Sequence, residues 1–226
     1  MNLFATLFPH VADRVDEFYE CMLQTLVMVG IVGIISFVVS LFLAVVLVTT
    51  APHGLFANRA VYQVVDKTIN FCRSVPFIIL ATTIIPLTRW VMGTAIGVKG
   101  AVFPLIIGIT PFFTRQLESA LLGVNAGLIE AATAMGLSRV EIVWRVYLRE
   151  SIPRIAKVTA ITIVNLLSLT AVIGVVGGGG LGDFAIRYGF QRYWFDASVA
   201  VVLVYLVFIW VVETIGKAII QTMSRE

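Results

Sequence analysis

Residues 125–153, NAGLIEAATAMGLSRVEIVWRVYLRESIP, form the one long mixed-charge run in a chain that is otherwise mostly apolar. At helical spacing Leu128, Ala131, Ala132 and Met135 fall at i, i+3, i+4 and i+7, a single apolar stripe with Glu130 and Thr133 off it. Gly136 is placed to end that helix, because glycine enters the left-handed conformation past a helix end without a Cβ penalty. Ser138 followed by Glu141 reads as a capping box, so a second helix starts there. It carries Val140, Val143, Trp144, Tyr147 and Leu148 on one side and Arg145 and Arg149 on the other, with Glu141–Arg145 a favourable i,i+4 pair. Two short helices joined by a glycine elbow, between apolar blocks, read as a docking element. An amphipathic loop resting on a membrane surface has the same periodicity.

The rest of the chain supplies the context. Of 226 residues, 59% are hydrophobic and 13% charged, and the mean hydropathy of +0.99 lies outside the soluble globular range. The apolar blocks predict an all-α membrane protein with five transmembrane helices, at about 21–50, 71–91, 101–117, 155–176 and 197–220. Residues 1–20 form a short segment before the first span, residues 21–221 one membrane domain, and residues 222–226 a tail. The first twenty residues hold Asp13, Asp16, Glu17 and Glu20 against Arg14 alone. Without a basic leading region, a cleaved signal peptide is not expected, and the first span serves as the insertion signal. Gly30, Gly33, Ser36 and Ser40 in that span are small enough to admit a neighbouring helix.

Charge sets the orientation. With the N-terminus outside, eleven of the sixteen basic residues fall on the inner side and five on the outer, as the positive-inside rule requires. The elbow and the C-terminus are then cytoplasmic. The net charge of +3 is accounted for by these loops, so no nucleic-acid partner is expected. Cys21 and Cys72 come to lie at opposite ends of the hydrocarbon, too far apart for a disulfide.

Other motifs are weighed by what they lack. Gly177–Gly182, GGGGLG, matches G-x-G-x-x-G but follows a membrane helix rather than a strand and has no Lys-Ser/Thr after it, so it reads as a tight turn rather than a nucleotide site. Tyr188, Phe190, Tyr193, Trp194 and Phe195 read as an interfacial aromatic belt. Thr159, Thr162, Asn165 and Ser168 recur on the fourth span. Hydroxyls can return to their own helix backbone, but a carboxamide in hydrocarbon needs a partner or water. This face is a candidate for the central pathway or for contact with a second copy. Within the spans there is no His, and Glu118 and Glu213 sit near the ends. His10 and His53 read as surface residues. No catalytic pair and no metal-ligand spacing is present, so neither an intramembrane enzyme nor an ion-coupled relay is indicated. Something else must supply the energy.

The motifs also carry a resemblance. Glu130-Ala131-Ala132, Gly136, and Val146 with Leu148 resemble the EAA loop of ABC-importer permeases, though Arg149 stands where that pattern has proline. The departure implies a second helix running to about Pro153. Closer similarity is to permeases of methionine uptake (D- and L-methionine), on FCRSVPFIIL at 71–80, IPLTR at 85–89, GLIEAATAMG at 127–136 and GGGLG at 178–182. The glycine segment with AIRYGF at 185–190 resembles the outer re-entry segment of amino-acid-type permeases, which helps close the pathway. The resemblance implies the type I ABC importer fold in a bacterial inner membrane and a homodimer forming the pathway. Two cytoplasmic ATPase subunits binding ATP and Mg, an external methionine-binding protein and membrane lipid would be the partners. It implies ATPase coupling through Leu128, Glu130, Ala131, Ala132, Met135 and Gly136, with Thr162, Asn165, Ser168, Gly178 and Gly180 as pathway or gate residues and no catalytic residue, metal or cofactor on the chain. A permease for another amino acid is the alternative within the class, and an ion-coupled secondary transporter the alternative outside it.

Overall fold

The computed structural model describes residues 6–223, and among them there are helices and no strand. A short helix α1 (Pro9–Ala12) leads into α2 (Val15–Thr50). Next come α3 (Arg59–Ser74), α4 (Phe77–Thr83), α5 (Ile85–Met92) and α6 (Gly97–Leu122). The elbow is α7 (Ala126–Ala134) and α8 (Arg139–Ile142), succeeded by a π-helical turn at Val143–Leu148 and α9 (Arg149–Val175). The chain ends with α10 (Gly180–Phe184), a second π-helical turn at Ala185–Phe190, and α11 (Phe195–Met223). Residues 1–5, part of the N-terminal segment, and 224–226, most of the tail, lie outside the described residues, as does Arg225 of the basic-residue tally.

Four of the helical runs are long and apolar enough to cross a membrane. They correspond to the first, third, fourth and fifth predicted spans, the first beginning at Val15, before the predicted start. The second, predicted as one helix over 71–91, is broken. Pro76 caps α4 without an N–H of its own, and Pro86 lies in the first turn of α5. A proline ring pushes the preceding residue out of the helical region, so the backbone restarts at both places. A second correction concerns the elbow. Its second helix does not stop near Pro153: Arg139–Val175 is one continuous helical run with that proline inside it. The π-helical turn ten residues earlier adds a residue to one turn, which rotates all later side chains about the helix axis.

Two compact units can be distinguished. The first comprises the described residues through Ile35, Val75–Gly108 and Ile163–Val212. Its core gathers Val11, Cys21, Leu181, Phe184, Tyr188, Ala197 and Val201. The expected aromatic belt is therefore split. Phe190, Tyr193 and Phe195 are exposed, whereas Tyr188 is buried and Trp194 is sandwiched between His10 and Tyr188, at 4.4 and 5.3 Å. His10 is correspondingly engaged rather than free, with its Nδ1 2.9 Å from Asp196. Arg187 bridges Glu17 and Asp183 at 2.7 Å each. The hydrogen bond that Tyr188 gives to the Glu17 carboxylate, together with burial, pushes its phenol above the ordinary range.

The second unit comprises Ser36–Ser74, Ile109–Thr162 and the described residues from Glu213 on. Its core joins Ala44, Val48, Phe113, Leu117 and Leu121 to Tyr147, Leu148, Ile155 and Val158. Ser40 donates to the Thr110 carbonyl at 3.1 Å, so this small residue of the first span does admit a neighbour. At Gly30, in the first unit, a Cβ would meet nothing within 4 Å among the described residues. Both cysteines are free thiols.

Two glycines of the first unit pack directly on backbone. A Cβ on Gly182 would lie 2.4 Å from the Ala171 carbonyl oxygen, and one on Gly174 would lie 2.4 Å from the Asp183 nitrogen. Gly182→Ala should therefore lower the melting temperature in detergent, since overpacking of this kind costs about 1–3 kcal/mol. Gly30→Ala, in open helical surface, should leave it unchanged or raise it.

Candidate coupling site

The elbow is built from local rules. The Asn125 side chain accepts the Gly127 N–H at 2.8 Å and caps the start of α7. At its other end Gly136 takes φ +80°, its N–H reaching the Thr133 carbonyl at 3.0 Å while the Leu137 N–H reaches Ala132 at 3.2 Å. That pair of bonds is a Schellman closure, the reason glycine is needed at 136. Two residues later the predicted capping box is complete. Ser138 N–H donates to Glu141 Oε2 at 3.0 Å, and Glu141 N–H donates to Ser138 Oγ at 3.3 Å. Orphan amides at both helix starts are thus met by side chains within the elbow itself.

What the elbow buries and what it leaves out differ from the predicted stripes. Ala132, Ile142 and Val143 are buried and hold the two helices together. Leu128, Met135, Val140 and Trp144 stay exposed, Met135 at 73% and Trp144 at 67%. The expectation that Trp144 shares a face with Tyr147 and Leu148 fails because the π-helical turn begins at Val143. Tyr147 and Leu148 go into the core of the second unit, while Trp144 points out beside Val140. Glu130, Ala131 and Gly136 are exposed on the same elbow. Arg145 approaches Glu141 only to 3.6 Å, both exposed, and the Arg139 guanidinium lies 5.8 Å from the Phe56 ring.

The elbow is rooted. Ser151, fully buried, donates to the Ala120 carbonyl at 3.3 Å. On the neighbouring helices Arg115 holds Glu118 at 2.7 Å, the Asn70 carboxamide oxygen at 3.0 Å, and the Asp66 carboxylate. This network, which ties α3 to α6, is invisible to span-by-span reading. By sequence Asp66 is a loop charge, and Arg115 and Glu118 are charges at the end of the third span. The i,i+3 spacing of that last pair is the one available signal.

The pathway candidates separate. Thr162 is buried and returns its hydroxyl to Val158 at 2.8 Å, the packing alternative for such a residue. Asn165 is half-buried on α9 with no hydrogen bond among the described residues, and Ser168 is exposed. Gly178 and Gly180 lie elsewhere, buried in the turn between α9 and α10. The cavity beside Gly178, lined by Ala81, Thr88, Pro104 and Ile173 among others, measures about 10 Å³, room for one water and not for a solute.

Four long apolar helices, a broken helical stretch and a rooted helical elbow with an exposed apolar face are the architecture of a polytopic membrane protein. The chain belongs to the family of binding-protein-dependent transport system inner membrane components, whose model matches residues 36–225. It is 41% identical over 222 residues to the probable D-methionine transport system permease protein MetI of Vibrio cholerae, covering 98% of this chain and 99% of that one. It is 44% identical over 130 residues to the D-methionine transport system permease protein MetI of Escherichia coli O157:H7, covering 58% and 60%. Among solved structures, the inward-facing MetNI methionine ABC transporter superposes with a TM-score of 0.88 at 34% identity over 99% of each chain. The fold is that of an ABC-transporter permease, and the protein is a multi-pass component of a bacterial inner membrane.

Ser138→Ala removes an N-cap worth about 1 kcal/mol. Amide exchange in residues 139–142 should rise roughly fivefold while exchange in the core of α6 stays unchanged. Equal exchange at 139–142 in both proteins would mean that the capping box does not hold the elbow.

Proposed function

We propose that this chain is the permease of a methionine importer, working as a pair of identical copies with the N-terminus outside and the elbow in the cytoplasm. The observation that carries the reading is the exposed apolar set Leu128, Met135, Val140 and Trp144 on a capped, rooted elbow. In a cytosolic loop, such a set has a reason to exist when another protein covers it. The partner is a cytoplasmic ATPase subunit, one for each copy, which binds ATP and Mg. Glu130, Ala131 and Gly136 lie on the covered surface, and Ala132 holds it together from inside. An external binding protein, which the family's description supports, delivers methionine, which the relatives' names support.

Magnitudes favour the apolar face as the coupling surface. Moving a two-state transporter from 1:99 to 99:1 takes about 5.5 kcal/mol of differential binding. An exposed, solvent-screened ion pair such as Glu141–Arg145 contributes little, whereas burying a Met or Leu side chain contributes about 1.5–3 kcal/mol. Asn165 and Ser168 on α9 are the pathway candidates, with Thr162 supporting the same helix. Phe77–Met92, broken as it is, supplies the fifth crossing, and the residues past 221 form the cytoplasmic tail.

Met135→Asp with Trp144→Asp should abolish co-purification of the untagged ATPase subunit while membrane insertion persists. The loss should exceed about thirtyfold in affinity, since central contacts of this kind are worth about 2 kcal/mol or more. Retained ATP-driven methionine uptake in the double variant would overturn the docking role. Uptake by the wild-type chain alone on an ion gradient would favour a secondary transporter, and a different ligand on the binding protein another amino acid.

A further inference from the structure

We propose that Gln24 and Thr25 are positioning residues for the glycine segment 177–182, latching it to the start of α2, and that releasing this latch is part of opening the outer side. The inference rests on the importer reading above and takes the segment as the outer re-entry segment that the resemblance implies. Residues 180–184 make a helix too short to satisfy its own first amides. Those amides are met by side chains 156 positions away. Gly180 N–H donates to Gln24 Oε1 at 2.8 Å and Leu181 N–H to Thr25 Oγ1 at 2.9 Å. The Thr25 hydroxyl, fully buried, gives its own proton to the Cys21 carbonyl at 3.1 Å, which leaves its lone pairs for Leu181.

The glycines explain themselves through this pair. Gly179 and Gly180 both take φ +77°. A Cβ on Gly179 would lie 2.8 Å from Gln24 Oε1, and one on Gly180 2.7 Å from Thr25 Oγ1. Any other residue at either position would push the latch off. A third bond, Gly97 N–H to the Gly177 carbonyl at 2.8 Å, fixes the other end of the segment. Gln24 also faces an open groove with Glu20, Leu23, Val27 and Val98. Its bond is thus the one at the edge of the packing, where another partner can replace it when the segment moves. Two neutral hydrogen bonds are strong enough to bias a closed state and weak enough to yield. Removing either should change the open-to-closed ratio about fivefold.

The test uses the complete transporter, permease with its ATPase subunit, in proteoliposomes. ATP hydrolysis is measured without binding protein, and amide exchange is monitored in residues 177–184. Gln24→Met and Thr25→Val keep the side-chain volumes and remove the acceptors, while Thr25→Ser keeps the hydroxyl. The latch predicts about fivefold higher binding-protein-independent hydrolysis and faster exchange at Gly180 and Leu181 in Gln24→Met and Thr25→Val, with Thr25→Ser at the parental level. Parental hydrolysis and exchange in both acceptor-less variants would overturn it, as would Thr25→Ser behaving like Thr25→Val. The Thr25 pair decides the matter should Gln24→Met fail to assemble. Failure of the importer reading is distinguishable, because the parental protein would then show no stimulation by binding protein while the exchange data still report on the latch.

Discussion

A backbone amide with no water beside it must find its partner in the protein, and each break in a membrane helix creates several such amides. The structure is organised around meeting that demand. The water-exposed elbow meets its helix-end amides locally too, by Asn125, by the Schellman closure at Gly136 and by the capping box of Ser138 and Glu141. At the glycine segment the demand is met from a distance, by Gln24, Thr25 and Gly97. Where Pro76 and Pro86 interrupt the helix, the donor that would have been lost is absent from the residue itself.

The two solutions have different consequences. A locally capped elbow keeps its shape as a piece, so the apolar residues it exposes form a defined surface rather than a loose loop. Its roots, buried Ser151 on Ala120 and the half-buried Arg115 network between α3 and α6, belong to the second unit. Displacement of the elbow is therefore displacement of packed helices. A turn held by side chains of another helix can be released without unfolding anything. On the proposed reading, a rigid element at the elbow and a turn fastened by replaceable bonds at the glycine segment are what a nucleotide-driven permease requires.

Much of this is legible in the residues. The glycine at 136 and the Ser138–Glu141 pair specify the elbow, because caps are local chemistry and a three-residue spacing is sufficient to recognise them. The four long helices are legible because a bilayer demands length and apolarity. The second span is overread from sequence: its hydropathy is adequate, but Pro76 and Pro86 outweigh hydropathy in deciding where a helix restarts. The face of Trp144 is misplaced because a π-helical turn leaves no periodic signature. Gln24 gives no signal, and Arg115 only its i,i+3 spacing to Glu118, because their other partners are far away in sequence and only the folded chain brings them to Gly180 and Asp66. Tyr188 and Trp194 look like belt residues by type, yet the arginine-rich cluster around them draws both inward.

The central claim is that the exposed face of the elbow lies in the cytoplasm and is covered by an ATPase subunit. A single cysteine at position 135, with Cys72 replaced and Cys21 left buried, tests it through labelling by a membrane-impermeant maleimide. The account predicts rapid labelling from the cytoplasmic side of inverted vesicles when the permease is alone, and protection when the ATPase subunit is bound. Labelling from the external side of intact cells, or equal labelling with and without the ATPase, would contradict it.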